Sequence, residues 1–286
     1  MLTSTQIYLH ALAPGELPNT TGQFGHAAFL RLVETVAPDL SAALHENNGR
    51  QPFTVSPLHV PQRARVNSHL QLNEGASCSM RFTILEGDTA VAPTLYASFQ
   101  AAFLSPWNEA IIRLGQIRFA VREVVTTPRA DNWTGFTSFA ELWERASRER
   151  FITLRFYSPT ALSMGQAPGK PKRFELFPQP WLVFDSLCRK WNAFADMPLA
   201  EPNALHAWID EHVIVADHAV NTTTLYFEKF AQKGFIGQVT YEISSDDADM
   251  VRGLNALADF ALYAGVGYKT TWGMGQARRV RVGERE

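Results

Sequence analysis

An excess of charge of either sign is what this chain most lacks. In 286 residues, 26 Lys and Arg stand against 28 Asp and Glu, a formal net charge of -2. No global basic field exists to draw in a polyanion, so any nucleic-acid site has to be a local patch. Cysteine is nearly as scarce: Cys78 and Cys188 stand alone and far apart, which excludes a disulfide framework and a C-x-x-C zinc site and suits a reducing cytoplasm. Long hydrophobic runs are missing too. The opening MLTSTQIYLHALAP has neither the basic start nor the apolar run of a signal peptide, and no later stretch reaches the ~18 apolar residues of a membrane span. A soluble, cytoplasmic protein with no membrane partner is expected. The hydrophobic content of 46% is ample for one large domain or two of ordinary size.

Two phosphate-binding signatures are also absent. No Gly-Lys-Ser or Gly-Lys-Thr tripeptide occurs, which excludes a P-loop. What is present is GVGYKTTWGMG, from Gly265 to Gly275, with four glycines in two G-x-G pairs around Lys269 and two threonines. Thr270 stands where a dinucleotide fingerprint needs its third glycine, and too little chain follows for the βαβ unit that fingerprint opens. Glycine permits φ > 0 and close approach to its N–H groups, and successive N–H groups beside a lysine suit a phosphate. The plainer reading of the same residues is a glycine-rich hairpin in a sheet protein. Arg278, Arg279, Arg281 and Arg285 extend the basic character toward the end of the chain, and a second basic stretch runs from Arg50 to Arg81 through Arg63 and Arg65.

Read in order, Thr3 to Ala13 predicts a strand ended by Pro14 and Gly15. Ala27, Leu30, Val33 and Ala37 form a helical stripe that Pro38 interrupts, and Asp39 to Glu46 is a second short helix that Asn47, Asn48 and Gly49 terminate. Strands at Pro52 to Val60 and Ser79 to Leu85, a helix at Ala92 to Phe103 and a long strand at Ile111 to Val125 complete the order strand, helix, strand, strand, helix, strand. That is the order of a ferredoxin-like domain. Thr126 to Gly135 reads as a linker. Beyond it come a helix at Phe139 to Arg150, strands at Phe151 to Tyr157 and Arg173 to Phe177, and an aromatic-rich helix at Pro180 to Ala195. Strand pieces at 213–215, 223–227 and 234–243 follow, then a helix capped by Asp246 and Asp247 and a last strand at Ala277 to Val282. The expected fold is α+β, with two tandem ferredoxin-like (RRM-like) domains at residues 1–127 and 136–286 and a C-terminal glycine-rich loop.

Two histidines sit at helix ends. His45 lies at the end of the second helix, where the dipole favours a cation and suits a proton donor; His26 lies near the start of the first, which suits a base. On one unbroken helix the residues between them would span ~28 Å, and the break at Pro38 is what lets them converge. His59 and His69 read as surface loop residues. His206, Asp210, His212 and His218 match no ligand spacing, and no metal is expected. Trp181, Phe184, Trp191 and Phe194 have the spacing of a core helix face.

The pattern of Gly265, Val266 and Gly267, five residues including Lys269, then Gly273, Met274 and Gly275 resembles the C-terminal loop of the CRISPR-associated repeat-processing endoribonucleases, the Cas six family. The segment LHENNGRQPFTVSPL, from Leu44 to Leu58, is similar to that family's connection from first helix to second strand, where its catalytic histidine lies. The likeness touches both ends of the chain; Asp88 to Ser244 carries no recognised motif. It implies two ferredoxin-like domains and an enzyme that binds CRISPR repeat RNA and cuts the precursor without a metal or cofactor. A ribose 2′-OH would attack the adjacent phosphorus and leave 2′,3′-cyclic phosphate and 5′-OH ends. His45 and His26 would be catalytic. Gly265, Gly267, Lys269, Thr270, Thr271, Gly273, Gly275, Arg278, Arg279 and Arg50 would hold the RNA. Parts of the family pair their histidine with a tyrosine and a lysine; no tyrosine occurs here between Tyr8 and Tyr96, so His26 would take the first role and Arg50 the second. The superfamily also contains non-cleaving members, so a binding subunit of a guide-RNA complex stays open, as does a small-molecule phosphate enzyme. Other effector subunits, monomer against homodimer, and the division of acid and base between the histidines stay open as well.

Overall fold

A computed structural model gives the fold and describes residues 1–47, 49–60, 65–66, 69–87, 95–104, 111–128, 131–166 and 169–281. Asn48, Arg63 and Arg285, singled out above, lie outside the described residues, and so does the side chain of Arg65. The chain forms two compact units. Met1–Thr137 and Thr271–Gly273 make the first; Ser138–Thr270 and Met274–Glu286 make the second.

The first unit runs β1 (Leu2–Ala11), β2 (Gly15–Pro18), α1 (Gly22–Glu34), α2 (Pro38–Glu46), β3 (Phe53–Val55), β4 (Arg65–Val66), β5 (His69–Leu72), β6 (Ser77–Leu85), α3 (Leu95–Leu104), β7 (Ile111–Leu114), β8 (Ile117–Val125) and β9 (Gly135–Thr137). Its main sheet has the antiparallel order β3-β6-β1-β8-β7, which is the ferredoxin-like order with a β7 strand added at one edge. Four fully buried phenylalanines knit α1 and α3 to that sheet. Phe29 stacks on Phe53 at 4.2 Å, lies 5.4 Å from Phe82 and 5.5 Å from Phe99. Each such side chain removed from water contributes about 1.5–3 kcal/mol. Close approach fixes where α1 lies: a Cβ on Gly25 would sit 2.7 Å from both Met80 and Val55.

Two sequence expectations change here. The long strand at Ile111 to Val125 is a hairpin, turned at Gly115 with φ 56°; the buried apolar phase shifts there, from Ile112 and Leu114 to Ile117 and Phe119, a signal the single long strand overrode. The linker expected at Thr126 to Gly135 ends in β9, which pairs with Leu2–Ser4 on the edge of β1 that β8 leaves free beyond Gln6.

The second unit runs α4 (Phe139–Arg145), β10 (Phe151–Thr160), β11 (Leu162–Ser163), β12 (Phe174–Glu175), α5 (Pro180–Phe194), α6 (Pro202–His212), β13 (Val213–Tyr226), β14 (Ala231–Ile243), α7 (Ala248–Ala264), a single 3-10 turn (Thr270–Trp272) and β15 (Ala277–Arg279). The sheet order β13-β14-β10-β15 is again ferredoxin-like. Val183, Phe184 and Leu187 of α5 and Leu254, Leu257 and Phe260 of α7 are buried together with Leu154, Phe156, Val239 and Tyr241 of the strands. α4 stops at Arg145, short of the expected Arg150, because tertiary bonds hold the next residues extended: Ser147 Oγ donates to Asn255 Oδ1 at 2.8 Å and Asn255 Nδ2 donates to the Glu149 carbonyl at 3.0 Å. α6 is missed by the sequence reading, although Pro202 opens it and the Glu201 carboxylate accepts from Ala204 N. β13 is one continuous strand. Its middle is largely exposed, so no alternation marks it.

Candidate nucleic-acid interface

In the first unit, the start of α1 is the best-built feature. Thr21 precedes the helix, and its Oγ1 accepts from Leu58 N at 2.8 Å, tying α1 to the chain after β3. No acidic residue lies in the first turn, so nothing offsets the positive end of the helix dipole. Thr271–Gly273 packs at this point. A Cβ on Gly22 would lie 1.8 Å from the Trp272 carbonyl oxygen, and one on Gly273 would lie 3.1 Å from Gly22 Cα. The imidazole of His26, just over one turn into α1, stacks on Phe53 at 5.5 Å and meets the Trp272 ring at 6.1 Å. Its ring is therefore fixed from two sides.

His45 stands exposed in the last turn of α2. The three residues between the helices let α2 fold back, and Ser41 Oγ donates to the Leu30 carbonyl at 2.9 Å. In an antiparallel pair, His26 and His45 each lie four residues, ~6 Å of axial rise, beyond that bond toward the same end. The segment after α2 closes the same way: Gln51 Nε2 donates to the Leu44 carbonyl at 3.0 Å, and Phe53, two residues on, carries the His26 ring. The end of α2 that carries His45 and the ring of His26 are thus both tied to residues 51–53, the first through the Leu44 carbonyl and the second through Phe53. Arg50 is exposed beside them in sequence, with its carbonyl accepting from Asn47 Nδ2 at 3.4 Å.

In the second unit the glycine loop differs from a phosphate cradle. The amides of its first four residues and of Met274 and Gly275 are committed internally. Gly265 N donates to Ala261 O at 3.0 Å, Val266 N to Gly275 O at 2.8 Å, Tyr268 N to Ala161 O at 2.9 Å and Gly275 N to Pro159 O at 3.1 Å. Gly267 N donates to Ser186 Oγ at 2.8 Å. The glycines are there because backbones cross. A Cβ on Gly275 would lie 2.0 Å from Val266 O and one on Gly267 2.5 Å from Ala161 O, and both residues have positive φ. Buried Lys190 of α5 completes the frame by donating to the Ala264 carbonyl, to the Gly265 carbonyl at 3.3 Å and to Thr270 Oγ1 at 2.9 Å. Thr270 is accordingly buried, and Thr271 begins the segment that belongs with the first unit.

The arginines of the tail divide. Arg279 is engaged within the protein: its side chain is 4% exposed, pairs with Glu149 at 2.6 Å and Asp259 at 3.5 Å, and donates to Asn255 Oδ1 at 2.6 Å. Burial raises the Asp259 carboxyl above its ordinary range, and the Arg279 and Arg281 guanidinium groups pull the other way. Arg278 is buried as well, its guanidinium 5.6 Å from the Tyr157 ring centroid. Lys269 is half-buried with φ 54°, a left-handed backbone uncommon outside glycine. Burial, then the like charge of Lys172, lowers its pKa. Among the described residues no three His, Cys, Asp or Glu side chains are grouped to hold a metal, and no helix is long and apolar enough to cross a membrane.

The packing of Trp272 and Phe53 on His26 and the bonds of Lys190 to the loop escaped the sequence reading. A tryptophan inside a glycine-rich loop is a signal that could have been used; the partners of Phe53 and Lys190 lie too far along the chain to leave one.

Residues 3–144 match the model of the CRISPR Cas6 N-terminal domain, and residues 154–277 match that of the CRISPR-associated endoribonuclease Cas6. The chain belongs to the Cas6 family. A Cas6 endoribonuclease of Mycobacterium tuberculosis is 24% identical over 193 residues, 68% of this chain and 59% of that protein. One from Streptococcus thermophilus is 25% identical over 144 residues, 49% of this chain and 55% of that protein. The chain thus spans less than two thirds of the curated relatives it matches. Among solved structures, the product complex of a Thermus thermophilus Cas6 superposes with a TM-score of 0.80 at 26% identity, covering 98% of this chain and 100% of that one. The substrate-mimic complex of a second Cas6 gives 0.67, also at 26% identity, covering 98% and 99%. The two-domain ferredoxin-like fold read from the sequence is the fold of this family.

Proposed function

We propose that this Cas6 protein is an endoribonuclease that binds CRISPR repeat RNA and cuts the precursor once per repeat by internal attack. A base removes the proton of a ribose 2′-OH, the freed oxygen attacks the adjacent phosphorus, and an acid protonates the departing 5′-oxygen. The products are a 2′,3′-cyclic phosphate and a 5′-OH. The nucleophile belongs to the substrate, so the reaction calls for no metal-bound water; general acid and base each supply about 10²- to 10⁴-fold. His26 serves as base and His45 as acid, with Arg50 and the cationic Lys269 on the RNA backbone and the start of α1 toward the charge that develops on phosphorus.

The observation that carries this reading is the His26 ring held between Phe53 and Trp272 at the start of α1, with the His45 end of α2 tied through the Leu44 carbonyl to Gln51, two residues before Phe53. Relatives solved as product and substrate-mimic complexes share the fold at 26% identity. The test uses purified full-length protein, labelled repeat RNA and EDTA, with a parallel RNA carrying a 2′-deoxy sugar at the cut. The proposal expects cleavage in EDTA, none of the deoxy RNA, and a single-turnover rate lowered at least about 10²-fold by His45→Ala with binding retained. Cleavage that requires a divalent ion or survives the deoxy change overturns the mechanism. Tight binding without cleavage by the wild type makes the chain a binding subunit instead.

A further inference from the structure

We propose that the aromatic and lysine cluster at the tip of the β13–β14 hairpin is a second RNA contact, which stacks one unpaired nucleobase and holds the phosphates beside it. This rests on the endoribonuclease reading above and extends it from Lys269, which that reading places on the RNA backbone, to Lys172 and the aromatic rings around the two lysines, which it leaves unused. The cluster lies within the second unit. Phe227 N donates to Phe230 O at 2.9 Å across the turn, and the two rings stack at 4.7 Å with 19° between their planes. Lys269 Nζ lies 4.9 Å from the Phe230 centroid, 5.3 Å from that of Tyr268 and 6.0 Å from that of Phe227. Lys172, in the basic run KPKR of residues 170–173, lies 4.5 Å over Tyr268 and 5.8 Å from Phe174.

Two ammonium groups therefore share one tyrosine ring, no further apart than the sum of their distances to it. Aromatic faces hold them. The nearby Glu175 carboxylate instead accepts from the amides of Leu176 and Phe177; Glu228 stands exposed in the turn itself. An incoming phosphate relieves the repulsion between the two cations. The rings add what a simple anion site lacks: Phe230 is 37% and Tyr226 72% exposed, and large apolar faces beside fixed cations match the alternation of base and phosphate in a single strand. Phe230 covers the buried Phe227 with one face, and Tyr226 stands largely in solvent. The left-handed φ at Lys269 points the same way, since strained backbone gathers at functional sites.

The test measures affinity of the full chain for repeat RNA blocked by a 2′-deoxy sugar at the cut, over a salt series, for wild type, Lys172→Ala, Phe230→Ala and Tyr226→Ala, each with a melting curve. Losing one stacked base weakens binding about 5- to 100-fold in Phe230→Ala. Losing one phosphate contact flattens the slope of log K against log salt by about 0.7 in Lys172→Ala. In wild type, one abasic position in the RNA weakens binding, and in Phe230→Ala the same abasic RNA loses nothing more. Tyr226→Ala, at the most exposed ring, stands in if Phe230→Ala melts early. Wild-type affinity and slope in these variants, while the wild type still cuts repeat RNA, overturn this contact and leave the endoribonuclease reading intact. A lowered slope in Lys172→Ala with no abasic-sensitive position overturns the stacking and hence the proposal. Failure of the wild type to bind the RNA at all overturns both.

Discussion

Gly22→Ala tests the assembly around His26 most directly. The added methyl would lie 1.8 Å from the Trp272 carbonyl oxygen, 2.2 Å from its carbon and 2.7 Å from Gly273 N. A comfortable contact needs ~3.5 Å, so the backbone of Thr271–Gly273 has to withdraw by roughly 1.5 Å. Two free-energy terms oppose each other. Overpacking costs about 1–3 kcal/mol, and replacing glycine with alanine in a helix returns about 1 kcal/mol. The net destabilisation of about 0–2 kcal/mol moves the melting temperature by a few degrees at ~2–4 °C per kcal/mol. The rate suffers more, because Trp272 packs on the His26 ring and a misplacement of ~1 Å near reacting groups costs about 10²-fold. The expected signature is a single-turnover rate down about 10²-fold with a nearly unchanged melting curve. Gly75→Ala is the control: its φ is +74° but a Cβ there meets nothing within 4 Å, so it strains a turn and leaves the rate alone. A Gly22→Ala protein that cuts repeat RNA at the wild-type rate and melts higher would refute the packing argument.

Arg279→Ala should destabilise the second unit by about 1–3 kcal/mol, because it strips the part-buried Asp259 of one of its two guanidinium partners and leaves Asn255 Oδ1 short of a donor, yet leave the salt dependence of RNA affinity untouched; a lowered salt slope would make Arg279 an RNA ligand. Burial pushes the thiols of Cys78 and Cys188 up to about 11, so at pH 8 roughly one in 10³ is ionised and neither should react with an aromatic disulfide until guanidinium unfolds the chain; a fast native reaction contradicts this. Lys269 has a folded-state pKa below its ordinary 10.5, lowered by burial first and Lys172 second. The fold disfavours its charged form, so stability rises as pH climbs through the folded value toward 10.5. Lys172→Ala should move the Lys269 midpoint upward, read by NMR of the methylated amine, and an unmoved midpoint would remove Lys172 from its surroundings.

The ferredoxin-like order was legible because it rests on local periodicity. β1 alternates, α1 carries an apolar stripe, and Pro38 separates it from α2 whatever lies elsewhere in the chain. Where periodicity fails, the reading fails: the exposed middle of β13 has no alternation, and at Gly115 only a one-residue change of phase marks the turn. The candidate site divides along the same line. His26 and His45 are placed by helix ends, and their convergence depends on bonds of short sequence separation, Ser41 to Leu30 and Gln51 to Leu44. The glycine loop is different. Its spacing reveals positions that tolerate no Cβ, but the same spacing results whether the approaching partner is a phosphate oxygen or the protein's own carbonyl. For Gly275 and Gly267 it is Val266 O and Ala161 O, and the amides of Gly265–Tyr268, Met274 and Gly275 are already bonded within the protein. Trp272 and Lys269 lie between the two glycine pairs. Trp272 stands beside His26 and Lys269 among the rings of the β13–β14 tip, so on the proposed reading it is the five-residue spacer, rather than the glycines, that would meet RNA.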